Sequence, residues 1–221
     1  MVVPVKTFGV AKERLAAILD QEARSALGRE VAARTLEVVK EAGFPVSIVT
    51  DDAGVAEWAS GLGADVIAEP EDEPPGLDRA ARAGLRHVSR RRLRWAIVHA
   101  DLPLLQRDDL LAVAAAVPKD GVVLAPSHDG GTNVVAGDVS DFRFAYGPGS
   151  FRRHLFAATG GPVRILVRTG LALDLDTADD LAEIGRLIAV SPGTGSGHLE
   201  RSRSSTARAD SAPTALGGVE R

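Results

Sequence analysis

A three-layer α/β sandwich built on a mostly parallel sheet is the fold class that this 221-residue sequence predicts. Three observations predict it. Short β-branched runs alternate with longer stretches at helical spacing. Each run is apolar throughout rather than alternating, as a strand covered by helices on both faces must be. Hydrophobic residues make up 45% of the chain, enough to fill a core and to exclude wholesale disorder.

The elements follow in order. Val2–Val5 is the first strand and runs into a loop. Gln21–Glu41 is a helix, because Ala23, Leu27, Val31 and Val38 fall on one face, and Gly43 stops it. Pro45–Thr50 is a strand, Ala53–Ser60 a helix and Ala64–Ala68 a strand. Leu77–Arg92 is a helix, and Trp95–Ala100 is a strand that ends in Asp101. Asp108–Val117 is a helix halted by Pro118, and Gly121–Ala125 is a strand. The later part is less regular: Asn133–Gly137, Val163–Val167 and Leu171–Leu175 read as short strands, Ser150–Ala158 and Ala178–Val190 as helices. Residues 1–190 thus form one domain. From Ser191 the composition shifts to Ser, Gly, Thr, Arg and Ala, so residues 191–221 are expected to be a disordered tail with nothing to bury against its ordering entropy. No internal repeat is visible.

Composition excludes several functions. With 26 basic and 30 acidic residues the net charge is −4, which argues against a dedicated nucleic-acid binder. The basic run Arg86, Arg90, Arg91, Arg92 and Arg94 reads as the solvated end of a helix rather than an RNA-binding surface. The chain has no Cys, which excludes disulfides, thiolate zinc sites and a cysteine nucleophile. No apolar run approaches the roughly 18 residues of a membrane span, and Met1–Lys6 lacks the apolar stretch of a secretory signal. A soluble, cytoplasmic protein without a membrane partner is expected, and a homo-oligomer is compatible with the sequence. His87, His99 and His128 show no metal-ligand spacing, and no Ser–His–Asp or Gly-x-Ser-x-Gly pattern occurs.

Ligands of an open parallel sheet sit beyond the carboxyl ends of its strands, so the polar residues that follow each strand carry the chemistry. After the first strand come Lys6, Lys12 and Arg14, with a Gly among them. They could cradle a polyphosphate, lysine as a point charge and arginine as a fork; the alternative is a solvated helix start. The Walker A spacing is absent. His99-Ala100-Asp101-Leu102-Pro103 puts a carboxylate on the tip of an apolar strand. Such a group suits a hard cation such as Mg²⁺, which takes one or two carboxylates and completes its shell with phosphate oxygens and water. The alternative, a cap for the next helix, can be served by Asp108 or Asp109 instead. Leu173-Asp174-Leu175-Asp176-Thr177 carries a second acidic pair. If it is extended, Asp174 and Asp176 point to one side, where they repel unless a cation lies between them or one is used elsewhere. Asp176 or Thr177 could cap the final helix, leaving Asp174 the freer ligand.

Two glycine-bearing segments lie between these acids. In His128-Asp129-Gly130-Gly131-Thr132-Asn133 the glycines let the backbone approach a ligand, and Thr132 adds a hydroxyl donor. In Phe144-Ala145-Tyr146-Gly147-Pro148-Gly149-Ser150-Phe151-Arg152-Arg153-His154, two glycines and a Ser stand at a helix start, a place suited to a carboxylate or phosphate. Each alone could be a turn. Together with the acidic strand ends and the cationic loop they point to a single site for anions.

In this order, the Lys6–Lys12–Arg14 loop, His99-Ala100-Asp101-Leu102-Pro103, Gly130-Gly131-Thr132-Asn133, Gly147-Pro148-Gly149-Ser150-Phe151 and Leu173-Asp174-Leu175-Asp176-Thr177 resemble a known family. It is the guanylyltransferases of coenzyme F-420 biosynthesis, which activate phosphoenolpyruvate or 2-phospho-L-lactate with GTP. The resemblance covers roughly residues 2–190 and is most specific in the Gly-Gly-Thr-Asn and Gly-Pro-Gly-Ser-Phe pair. It implies a Rossmann-like nucleotidyltransferase fold of the glycosyltransferase-A type over residues 1–190. It implies that Asp101 and Asp174 hold Mg²⁺; Asp176, on the same side as Asp174, is a further candidate ligand from its place in the sequence. It also implies that Thr132, Gly147 and Ser150 hold the carboxylate of the small phosphorylated acid, and that Lys6, Lys12 and Arg14 lie over the GTP phosphates. Two departures stand out. The first strand begins almost at Met1, so it is shortened or starts upstream. In Pro75-Gly76-Leu77-Asp78 an Asp stands where relatives commonly carry Asn. A carboxylate can accept from both edge donors of guanine, so Asp78 could still select the base; the alternative is an N-cap for the helix that follows.

The implied reaction also suits what the sequence lacks. A phosphate monoester, with a second pKa of about 6, is largely a dianion at neutral pH and attacks without a general base. The rivals are a molybdenum-cofactor or sugar-phosphate nucleotidyltransferase, a glycosyltransferase of the same fold, and a non-catalytic nucleotide-binding regulator. The many Ala, Arg and Gly residues lean toward a bacterial enzyme and so toward phosphoenolpyruvate.

Overall fold

The computed structural model describes residues 1–190 apart from 11, 71 and 91–93. The expected disordered tail therefore lies outside the described residues, as do Arg91 and Arg92 of the basic run. The strands are β1 (Val2–Pro4), β2 (Ser47–Thr50), β3 (Asp65–Ala68), β4 (Trp95–Val98), β5 (Val122–Pro126), β6 (Thr132–Gly137) and β7 (Val163–Ile165). The helices are α1 (Gln21–Glu41), α2 (Ala53–Gly61), α3 (Leu77–Ser89), α4 (Arg107–Ala116), α5 (Ser150–Ala157), α6 (Thr169–Ala172) and α7 (Ala178–Val190). The strands join in one sheet in the order β3-β2-β1-β4-β6-β5-β7. β6 runs antiparallel to both its neighbours and the other pairings are parallel, so the sheet is mostly parallel as expected.

Both faces of the sheet are covered, which is why its strands are apolar at successive positions. Val3, Ile48, Ala96, Val98, Val123, Ala125, Val134 and Ala136 pack toward α1, α2 and α4. Their neighbours Val2, Val49, Trp95, Ile97, Val122, Leu124 and Val135 pack toward α3 and α5. The two sets alternate along each strand, as the pleat requires. Small residues let α3 lie close on the sheet: Ala80, Ala81 and Ala83 are buried, and a Cβ at Gly84 would collide with the Val2 side chain. α1 starts at Asp20, whose carboxylate accepts the Ala23 N–H at 2.8 Å. It ends at Gly43, whose φ of 80° allows the Gly43 and Phe44 N–H groups to turn back onto Lys40 and Val39.

Chain order reverses between β1 and β4: β2 and β3 build outward on one side, β6, β5 and β7 on the other. A crevice outside the carboxyl ends of these two central strands is where such sheets bind ligands. Three boundaries differ from expectation in ways that shape this crevice. β4 ends at Val98, so Asp101 stands in the loop beyond the strand rather than on its tip. Leu171–Leu175 is not a strand: residues 169–172 form the helical turn α6, and an extended stretch leads from there to α7. β6 starts at Thr132, one residue earlier than expected, with a register shift opposite Ala125 and Pro126. Among the described residues no helix is long and apolar enough to cross a membrane.

Candidate active site

The acidic residues converge through backbone pairing. The Leu175 N–H donates to the Asp101 carbonyl at 3.0 Å, and the His128 N–H donates to the Ala172 carbonyl at 2.9 Å. These bonds lay the extended stretch after α6 against the loops that follow β4 and β5. Leu173 and Leu175 point into the core, so Asp174 and Asp176 share the opposite side, as extended backbone dictates. One oxygen each from Asp101, Asp174 and Asp176 lies within 4.8 Å of the others. Neither Asp101 nor Asp176 caps a helix. α4 is closed by Gln106 and Asp109, and α7 begins with Thr177 and Asp180, each accepting the other's backbone N–H, at 3.2 and 2.7 Å. Both acids are thus left for the crevice.

The Lys12 ammonium reaches into this cluster, 2.9 Å from Asp101 Oδ2 and 3.1 Å from Asp176 Oδ1. Its backbone is left-handed (φ 57°, ψ 41°), an unusual state for a residue with a Cβ. The loop that carries it is pinned by Leu15, fully buried, and by Phe8, edge-on to Trp58 at 5.0 Å. Burial would pull the Lys12 ammonium down, but Asp101 and Asp176 outweigh it and hold its pKa above the ordinary value. Burial likewise pushes the Asp101 carboxyl up, yet Lys12 and then His99 prevail and hold it below the usual range. Asp174 goes the other way: burial first, then the Asp101 charge, raise it, against the opposing Asn133 amide. Asn133 Nδ2 ties this acid down, donating to Asp174 Oδ1 at 3.2 Å and to the Leu171 carbonyl at 3.0 Å.

The cluster fits a divalent cation. Its donors are hard oxygens, and Asp101 Oδ1 is buried without a hydrogen-bond partner among the described residues. An unpartnered buried carboxylate oxygen beside two further carboxylates is a group that could serve as a cation ligand.

Lys6 and Arg14 are exposed and, among the described residues, make no hydrogen bond or ion pair. Lys6 stands two residues beyond β1 and Asp101 three beyond the adjacent β4, so both flank the crevice.

The glycine-bearing segments meet on the α5 side. Ser150 Oγ donates to Thr132 Oγ1 at 3.3 Å, and both residues are buried. The register shift in β6 makes this contact. By strict alternation Thr132 would share the α4 side with Val134; the bulge turns it toward α5 and turns Asn133 toward α6. The expectation that the α5 start offers its N–H groups to an anion is corrected in part. The Ser150 N–H donates to the Gly147 carbonyl at 3.0 Å and the Phe151 N–H to the Gly130 carbonyl at 3.3 Å. Gly147 and Gly149, at φ 108° and 66°, form the exposed turn above them, a path L-residues rarely take.

Asp78 does not cap α3, whose N-cap is Gly76. Its Oδ1 accepts the Tyr146 N–H at 2.7 Å, which ties α3 to the segment leading into Gly147. Sequence reasoning missed Asn133 as the clamp on Asp174, and His154, buried between Thr132 and Ala145. A histidine at the fifth position of a short helix carries no local signal for such a role.

A family model described as "Guanylyl transferase CofC like" matches residues 1–196. A phosphoenolpyruvate guanylyltransferase from Sphaerobacter thermophilus is 38% identical over 190 residues, 83% of this chain and 90% of that protein. A 2-phospho-L-lactate guanylyltransferase from Methanobrevibacter smithii is 25% identical over 185 residues, 83% of this chain and 82% of that one. Among solved structures, a protein described as a nucleotide-diphospho-sugar transferase from Desulfovibrio desulfuricans G20 superposes with a TM-score of 0.70. It is 18% identical, over 86% of this chain and 87% of that one, and shares the fold.

Proposed function

The chain belongs to the CofC-like guanylyl transferase family and is a nucleotidyltransferase, and we propose that it joins GTP to a small phosphorylated carboxylic acid in coenzyme F-420 biosynthesis. A phosphate oxygen of the acid attacks the α-phosphorus of GTP, the bond from that phosphorus to the bridging oxygen breaks, and pyrophosphate leaves. The attacking dianion requires no base, in keeping with a site of carboxylates, lysine and hydroxyls. The observation that carries the reading is the meeting of Asp101, Asp174, Asp176 and Lys12 at the strand-order reversal, with Thr132 and Ser150 on the neighbouring strand and helix.

Each residue then has a task. Asp101, Asp174 and Asp176 would hold Mg²⁺, which offsets the negative charge of the phosphates when bound. Lys12, with the exposed Lys6 and Arg14, draws in the triphosphate and opposes the charge that builds on departing pyrophosphate. Thr132, backed by Ser150, and the Gly147 turn hold the carboxylate of the acid. Asp78 keeps one oxygen on the Tyr146 N–H and turns the other to the donor edge of guanine. Positioning two mutually repelling anions in line supplies much of the rate in reactions of this class. A cytoplasmic location, where GTP is abundant, suits this chemistry.

Phosphoenolpyruvate is the favoured acid, because the relative named for it is 38% identical and the one named for 2-phospho-L-lactate 25%. The test is pyrophosphate release from GTP with Mg²⁺ across phosphoenolpyruvate, 2-phospho-L-lactate, 3-phosphoglycerate and glucose 1-phosphate. Release with the first or second acid, and none with the sugar phosphate, is expected. Release only with the sugar phosphate, or with no acceptor, overturns the proposal.

A further inference from the structure

We propose that His154 is a positioning residue that turns the Thr132 hydroxyl into a fixed donor toward the acid's carboxylate; this rests on the reading that Thr132 contacts the acid. His154 lies on α5 and is 0% exposed. Both ring nitrogens are committed. The Ala145 backbone N–H donates to Nε2 at 2.9 Å, so that nitrogen is the acceptor and the ring proton sits on Nδ1. Nδ1–H therefore donates to Thr132 Oγ1 at 3.0 Å. Ser150 Oγ donates to the same oxygen at 3.3 Å.

A hydroxyl has two acceptor positions and one hydrogen. With His154 as the donor to Thr132 Oγ1, Thr132 does not spend its own hydrogen on the ring and keeps it for an acceptor. That is the polarity a carboxylate requires, set before the substrate arrives. The ring holds this arrangement because it stays neutral. Burial, aided by Arg153 and opposed by the Asp78 carboxylate, brings the His154 pKa down to about 4. Aromatic packing fixes the ring plane, with Tyr146 edge-on at 4.7 Å and Phe142 at 5.9 Å.

The test compares H154N, H154Q and H154F with wild type for kcat and for the KM of GTP and of the acid. An Asn amide reaches the place of Nδ1 and can still donate to Thr132; a Gln amide extends toward Nε2 and cannot. H154Q and H154F are expected to raise the acid KM about 10-fold or more, the loss of one well-aligned bond to a charged group, with the GTP KM unchanged within about twofold. H154N is expected to restore the acid KM to within about threefold of wild type. In a double-mutant cycle, H154Q should add nothing to Thr132→Ala. Should H154F fail to fold, the H154N and H154Q pair still decides. Equal acid KM in H154N and H154Q, or additive effects of H154Q and Thr132→Ala in an active enzyme, overturns the role of His154 alone. Absence of turnover in wild type overturns the underlying reading and this inference with it.

Discussion

Lys12 lies where three carboxylates would otherwise meet without a cation. Its bonds to Asp101 and Asp176 account for a backbone conformation that a residue with a Cβ rarely takes. An ammonium in that position and a divalent cation answer the same excess of negative charge, so each should weaken the demand for the other. Lys12→Met is expected to destabilise the metal-free protein by about 1–3 kcal/mol, less than for a fully buried pair because Asp176 is partly exposed. It should also enlarge the rise in melting temperature that Mg²⁺ produces. Differential scanning fluorimetry with and without Mg²⁺ checks both; an equal Mg²⁺ shift in variant and wild type would mean that lysine and metal do not share the site. The sequence marked Lys12 only as one of three cations in a loop. Its partners, 89 and 164 residues away, have no local trace.

Elements matter here through where they end and how closely they approach. α3 reaches the crevice because Gly84 lets it press on Val2 of β1, which carries Asp78 to the Tyr146 N–H. Gly84→Ala should push the helix outward and cost about 1–3 kcal/mol, the usual penalty for overpacking. A lower urea midpoint with an unchanged m-value is the expected result; an unchanged midpoint would show that α3 has room to spare. Helices were legible where a cap or stop coincided with apolar spacing, as at Gln21–Glu41 and Ala178–Val190, both found to the residue. The misplaced strand at Leu171–Leu175 has a simple cause. Leu171, Leu173 and Leu175 alternate with other residues as in a strand and are buried like one, yet a helical turn and an extended stretch bury them equally well. The β6 bulge, which sends Thr132 to α5 and Asn133 to α6, was invisible because nothing in Gly-Gly-Thr-Asn distinguishes a bulged register from a regular one.

At the scale of the whole molecule, the buried histidine makes stability depend on pH. The His154 value of about 4 lies below the ordinary 6.5, so between those values the unfolded chain binds a proton that the folded one refuses. The stability this contributes is complete above pH 6.5 and drains away as the pH falls toward 4. Asp101, held below its usual range, adds a loss only at lower pH still. The urea midpoint should therefore fall between pH 6.5 and 4 in wild type and fall less in H154N; parallel curves would show that another group governs the window. By itself the sequence determined the layered α/β class, most of the element order and the family, because apolar runs, caps and glycine-bearing motifs are local patterns. Which side chains share the crevice was decided only by the tertiary structure. The order of strands in the sheet, the bulge in β6 and the stitching of Leu175 to Asp101 bring distant residues together, and contacts over such separations depend on how whole elements pack rather than on any neighbouring residue.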